Sequence, residues 1–420
     1  MPDGRSRIAT LILGALIALS IAPTNAYAAW TGAWQTSPVR VPARTVARLL
    51  PAEVEGTLRF RIHLTLPGRK IRLRFSNEFG TAPLVVGGAS VGRAAEGSAV
   101  QSGTLVRVTF DGHISTTIPR GAHMLSDPVN LPIGQGSDLI VSIGLPQGAK
   151  LSGGTGVPAF LVAGIDAVDR EAVPAAKPID ARSILSGVEV DTDTGKAPRV
   201  IMVLGDSIKD SHVSISAEAR GWTDLLGRKL VDGRRAIAVV NAGIGGNRIL
   251  TSDDGSWEGG KPAAGFGLGD SMLARFDRDV LAVPGVSHLV ILAGINDIGR
   301  SNNAPGGVMV TAEDLIAGYR QLIARAHARG VKVIGATILP FQGEVAYGYY
   351  SPGHDALRQR VNDWIRTSGA YDGVMDFDCT MSDPKHLGRL LPAFDNGDHV
   401  HPNFAGHRAM AASVDLALFD

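Results

Sequence analysis

The sequence predicts an α/β domain built on a parallel sheet, preceded by a β-sandwich, and three observations carry that expectation. Residues 199–420 alternate short apolar runs with helical stretches five times over, the pattern of a parallel sheet with helices on both faces. From Trp30 to about Pro146 the chain instead shows short runs of period-two alternation broken by turn residues. The 420 residues are 45% apolar and 19% charged, with no long biased tract, which marks a globular chain long enough for two domains.

Residues 1–28 read as a signal peptide. Arg5 and Arg7 give a positive start, residues 8–21 (IATLILGALIALSI) an apolar core, and Ala26-Tyr27-Ala28 a small-x-small cleavage site. Cleavage after Ala28 predicts a secreted, extracytoplasmic protein. The apolar core is shorter than the roughly 20 residues of a membrane span, so no stable membrane insertion is expected once the signal is removed. An uncleaved anchor is the alternative. Net charge is +1, from 41 basic and 40 acidic residues, without a Lys/Arg cluster, so no nucleic-acid partner is expected. Cys379 is the only cysteine, which excludes an intrachain disulfide and a cysteine-based metal site; it is expected to be buried or inert.

Residues 29–150 form the expected β-sandwich, jelly-roll-like accessory domain. Residues 58–64 and 71–77 alternate apolar and polar, and 104–110 and 139–145 repeat the theme, as in sheets with one buried and one wet face. Pro67-Gly68, Gly87-Gly88, Pro119 and Gly134–Gly136 punctuate it. His63, His113 and His123 are scattered and form no ligand cluster. Trp30 and Trp34 are read as packing the first strand onto the core, with stacking on a sugar ring as the alternative. Residues 151–198, rich in Gly, Pro, Ala and Asp, read as a connector.

In residues 199–420 the expected strands are 200–204, 236–241, 287–293, 331–337 and 374–377. The expected helices are near 217–231, 270–281, 312–329, 352–367 and 402–418. Right-handed crossovers bring the C-terminal strand ends to one edge of such a sheet, where open α/β folds place their chemistry. Gly205-Asp206-Ser207 ends the first strand. A Gly-rich turn, Asn241-Ala242-Gly243-Ile244-Gly245-Gly246-Asn247, follows the second and could present backbone N–H groups to an anion. It lacks both the Gly-Lys-Ser/Thr of a phosphate loop and the spacing of a dinucleotide fingerprint. Gly294-Ile295-Asn296-Asp297 follows the third strand; its asparagine is either a neutral donor or a turn residue. Asp398-His399-Val400-His401-Pro402 precedes the final helix. An Asp three residues before a His can accept its Nδ1–H and leave Nε2 free as a base. The alternative, a metal site, lacks a third strong ligand nearby.

With these four blocks in this order, residues 199–420 resemble the SGNH/GDSL hydrolase superfamily. The resemblance implies a flavodoxin-like, three-layer α/β/α domain and an ester hydrolase needing no metal or organic cofactor. It implies Ser207 as nucleophile, Asp398 and His401 as the rest of a triad, and an oxyanion hole of Ser207, Gly246 and Asn296; His399 is not the implied base. Ser76-Asn77-Glu78-Phe79-Gly80 and Ser126-Asp127-Pro128, with the Asn247-Arg248 end of the glycine turn, resemble the arylesterase and xylan acetylesterase branch. The first block departs from the family: where Ile-Thr-Asp-Gly is usual, the chain has Ile208-Lys209-Asp210-Ser211.

The leading expectation is therefore a secreted serine esterase acting on short acyl or acetyl esters of small molecules or polysaccharides. Two aromatic-bearing loops, one with Trp257 and Phe266 and the other with Tyr347, Tyr349 and Tyr350, are expected to shape substrate binding, with packing of the loops themselves as the alternative use of these rings. A lysophospholipase or thioesterase is the alternative within the class. A carbohydrate-binding surface protein with an inactive hydrolase half is the alternative outside it. The sequence leaves the oligomeric state open.

Overall fold

The structure, a computed structural model, describes residues 30–40, 53–149, 157–173, 176–181, 184–192, 199–210, 221–252, 268–301 and 309–420. The expected signal peptide and its cleavage site lie outside these residues.

Among the described residues the first half carries thirteen strands. They are β1 (Trp30–Gln35), β2 (Val54–Leu64), β3 (Gly68–Ser76), β4 (Leu84–Val86), β5 (Gly88–Arg93), β6 (Val106–Val108) and β7 (Thr116–Ile118). β8 (His123–Leu125), β9 (Val129–Ile133), β10 (Ser137–Ala149), β11 (Val157–Val162), β12 (Lys177–Ala181) and β13 (Leu185–Asp191) follow. One sheet runs β1-β13-β3-β8, with β9 also on β3; a second runs β12-β11-β2-β10-β5-β6. Neighbours in both are antiparallel. The alternation explains the faces. Ile71, Leu73 and Phe75 of β3 are buried in the core, whereas Arg72 and Arg74 turn the other way to Glu189 and Gln35. Trp30 lies under the Arg72 guanidinium, 4.5 Å from ring centre to Cζ, and Trp34 packs against the core.

The segment expected to be a connector is instead part of these sheets. β13 lies between β1 and β3, and β11 lies between β2 and β12. The Val188-Glu189-Val190-Asp191 alternation is a strand signal submerged in Gly- and Pro-rich surroundings. Pro158 and Pro178, which argue against strands, sit opposite Asp180 and Phe160 in a ladder that tolerates them beside its edge. The turn after β11 also covers the outer face of β2. There the buried Arg59 guanidinium donates to the carbonyls of Ser98 and Ala167 at 2.8 and 2.7 Å.

The second half holds a five-stranded parallel sheet: β14 (Val200–Gly205), β15 (Ala238–Gly243), β16 (Val286–Leu292), β17 (Lys332–Ala336) and β18 (Gly373–Met375). The order is β15-β14-β16-β17-β18, the 2-1-3-4-5 order of flavodoxin-like sheets. Every residue of β14 is buried, as its unbroken apolar run requires. Its helices are α1 (Ser207–Asp210), α2 (Trp222–Asp232), α3 (Met272–Phe276), α4 (Ile295–Gly299), α5 (Ala312–His327), α6 (Pro352–Thr367), α7 (Phe377–Met381) and α8 (Phe404–Ser413). α2, α7 and α8 contact one another, as do α3 with α5 and α4 and α5 with α6, giving two helical sets. α6 has the expected bounds, 352–367; Ser351 caps it and Pro352 opens its first turn. The stretch 270–281 is α3 followed by a π-helical turn, Asp277–Leu281, and the last helix stops at Ser413 before a short 3-10 turn. Cys379 is exposed, not buried.

The halves share one apolar core and are tied by directed bonds. Gly32 N–H donates to Pro284 O at 2.9 Å, and Gln35 Nε2 donates to Asp279 O at 2.8 Å. Thr65 and Gln135 donate to the carbonyls of Ile237 and Arg235. Among the described residues no helix is long and apolar enough to cross a membrane.

Candidate active site

β14 leaves the sheet at the point where strand order reverses, between β15 and β16, and delivers Ser207 as the first residue of α1. Asp206 turns the chain by accepting Ile208 N–H at 3.1 Å. Ser207 Oγ donates to His401 Nε2 at 2.7 Å, and His401 Nδ1–H donates to Asp398 Oδ2 at 2.6 Å. Ser207 and His401 are each 8% exposed.

The Asp-x-x-His spacing works because the segment before α8 folds back on itself. Asp398 Oδ1 accepts the backbone N–H groups of Val400 and His401 at 2.9 and 2.8 Å, while Asn403 caps α8 by accepting Gly406 N–H at 3.0 Å. Burial opposes ionisation of Asp398, but the bond from His401, its charge and the two backbone donors prevail and hold the carboxyl down at about 2. His399 faces elsewhere. Its backbone is left-handed (φ 62°), which turns its ring to Asp395 Oδ2 at 2.5 Å, half exposed. Two separate Asp–His pairs therefore stand where one metal site was the alternative. Among the described residues no three His, Cys, Asp or Glu side chains gather as metal ligands.

The turn after β15 places Gly246 at φ 72°, a conformation favouring glycine, and a Cβ there would lie 2.4 Å from Leu268 Cδ2. Asn247 is buried, with Nδ2 donating to the carbonyls of Leu268 and Asp270 at 2.6 and 2.9 Å. Asn296, at the start of α4, reaches back to this turn and donates from Nδ2 to Asn247 O at 3.2 Å. Its neighbour Asp297 accepts Ile249 and Leu250 N–H at 2.9 and 3.1 Å, so two consecutive residues of α4 hold the β15 turn. Burial pushes the Asp297 carboxyl up to about 6 against the pull of those donors.

Three contributors escape sequence reasoning. The buried Arg275 donates to Ala242 O at 2.7 Å, Asn247 Oδ1 at 3.1 Å and Asp279 Oδ2 at 2.9 Å, knitting the strand end to α3. Glu344 is buried and accepts the N–H groups of Tyr347 and Tyr349 (the latter at 2.7 Å), which clips the 344–349 loop into shape. No motif surrounds either residue, so no sequence signal marks them. Asp297 had one: it completes Gly-x-Asn-Asp.

Of the expected substrate-loop residues, Tyr347 is 51% exposed and sets its ring edge-on to His401, centroids 6.2 Å apart. Tyr349 was expected beside it as a substrate contact. It is instead buried, its hydroxyl donating to Asn296 Oδ1 at 2.8 Å. Trp257, Phe266 and Ser211 lie outside the described residues, as does the side chain of Lys209.

The arrangement joins a serine, an imidazole and a carboxylate in one hydrogen-bonded line, the equipment of acyl transfer. Residues 203–409 match the profile of the GDSL-like lipase/acylhydrolase family. Solved structures also match. A GDSL-like lipase from Bacteroides thetaiotaomicron is 19% identical, over 53% of this chain and 88% of that one, with a TM-score of 0.38. An acetylxylan esterase from Geobacillus stearothermophilus is 22% identical, over 52% and 93%, with a TM-score of 0.37. No curated protein matches the chain. Residues 203–409, just under half of the chain, are thus similar to the GDSL-like lipase/acylhydrolase family.

Proposed function

We propose that the protein is a secreted serine esterase that cleaves short acyl or acetyl esters, including those on polysaccharides, through a covalent acyl-enzyme. The line from Ser207 Oγ through His401 to Asp398 carries this reading. His401 Nε2 takes the hydroxyl proton as Ser207 Oγ adds to the ester carbonyl, whose electron pair moves onto oxygen. That oxyanion is received by the N–H groups of Ser207 and Gly246 and by the Asn296 amide. Re-forming the carbonyl expels the alkoxide, which recovers the proton from His401. Water then adds to the acyl-enzyme, gives its proton to His401, and the acid leaves as Oγ is reprotonated. Asp398 fixes the imidazole tautomer and balances the imidazolium.

The short-acyl reading draws on Tyr347, the half-exposed ring that stands edge-on to His401. The N-terminal leader, Arg5 through Ala28, supports export. The antiparallel sheets of the first half fit a jelly-roll-like accessory domain, followed by a hydrolase domain from residue 199.

Ser207→Ala is expected to lower ester hydrolysis by about 10⁶-fold, as when a triad serine is removed, and to end labelling by a fluorophosphonate. Retained turnover would overturn the assignment. A panel of aryl acetates, acetylated xylan, long-chain esters and acyl-thioesters tests the substrate class; preference for the last two would favour the lipolytic alternative.

A further inference from the structure

We propose that Tyr349 is a positioning residue that fixes which end of the Asn296 amide faces the oxyanion, acting through its hydroxyl and never touching substrate. This rests on the reading of Ser207 and Asn296 as catalytic groups. An asparagine amide has two unlike ends of nearly equal shape, and only the N–H₂ end can stabilise an oxyanion. The structure decides the orientation from both sides. Arg300 Nε, which can only donate, gives its hydrogen to Tyr349 Oη at 2.8 Å. That Oη donates its own proton to Asn296 Oδ1 at 2.8 Å. At the other end Asn247 O, which can only accept, takes a hydrogen from Asn296 Nδ2 at 3.2 Å. A reversed amide would set its oxygen against the Asn247 carbonyl and leave the tyrosine proton without that acceptor. With one Nδ2 hydrogen engaged, the second remains for the reaction.

The support is built rather than incidental. Tyr349 fills the space above Gly299, where an added Cβ would fall 2.2 Å from its ring. Its backbone N–H is held by Glu344 and its carbonyl accepts from His354 Nδ1 at 2.6 Å. The same clipped loop carries Tyr347 against His401, so one segment buttresses both the base and the oxyanion donor.

The test is a double-mutant cycle on the full chain, with active sites counted by fluorophosphonate titration and an aryl acetate as substrate. Asn296→Ala should lower kcat about 10²- to 10³-fold. Tyr349→Phe keeps the ring and should lower kcat about tenfold with KM little changed. In the Asn296→Ala background, Tyr349→Phe should have no further effect. The second readout is the ratio of rates on an ester and its thionoester, whose sulfur accepts hydrogen bonds weakly; this ratio does not depend on the folded fraction. It should fall in Tyr349→Phe toward the Asn296→Ala value. Additive losses, a KM effect alone, or an unchanged ratio would overturn the role of Tyr349. Full activity in Ser207→Ala or Asn296→Ala would overturn the underlying reading instead.

Discussion

His399 and His401 are two positions apart and each holds a carboxylate, yet only one reaches Ser207. The left-handed backbone at His399 throws its ring toward Asp395, and this separates their expected effects. His401→Ala should lower kcat/KM at least about 10⁴-fold, whereas His399→Ala should leave it within a few-fold; the reverse result would place the base on the wrong imidazole. The depressed Asp398 acidity sets a pH expectation. Its folded value, about 2, lies below the usual 3.8, so its stabilising contribution is present above about 4 and is lost as pH falls toward 2. Between pH 4 and 7 Asp398 stays ionised, so its own protonation should add nothing to the slope of log kcat/KM in that window. A slope of two there would show the carboxyl titrating. The three residues joined in the line were legible for a common reason: Ser207 follows an apolar strand, and Asp398 and His401 stand just before the last helix. Glu344 and Arg275 were not, because each holds another segment in place and sits in no pattern of its own; Tyr349 was legible as a loop aromatic but not for its bond to Asn296.

Elements explain what the residues rest on. The turn after β15 has no regular structure of its own and is held by α4, through Asn296 and Asp297, and by α3, through Arg275. Asp297 is the mirror of Asp398 in its titration. Burial raises it to about 6, so between about 4 and 6 the folded chain keeps a proton that the unfolded chain has released. Stability from this group therefore falls as pH rises through that window. Asp297→Asn should remove that slope, seen as a smaller difference between urea midpoints at pH 4.5 and 6.5. It should also cost about 1–3 kcal/mol at pH 7, because one backbone N–H loses its acceptor. Strand content was legible where period two or unbroken apolar runs were plain, as in β3 and β14. It was hidden in β11, β12 and β13, whose prolines and glycines carry the composition of a linker. Pairing with β2 and with β1 and β3 overrides that local signal.

At the scale of the whole molecule, the sheet-rich half is more than an appendage. β1 runs against β15, and Ser37 Oγ accepts from the same Arg275 that holds the site's turn, at 3.2 Å. A fragment of residues 199–420 should accordingly be poorly soluble and at least about tenfold less active per active site, since it bares apolar surface that the first half now covers. A soluble, fully active fragment would show the halves to be independent. A gentler probe is Gly32→Ala, whose Cβ would meet Val283 Cγ1 at 2.4 Å. Overpacking of this kind should lower stability by about 1–3 kcal/mol, read by denaturant unfolding, with little change in KM. The position of β13 has a further consequence, in time rather than in space. β1 is made first, but its hydrogen-bonding partner is residues 185–191, the last strand of the half. Its ladder cannot close until more than a hundred intervening residues have emerged, and pairing at such separation is slow. During synthesis the opening strand must wait unpaired until Asp191 has been added, which makes that stretch the interval in which the nascent chain most needs a chaperone.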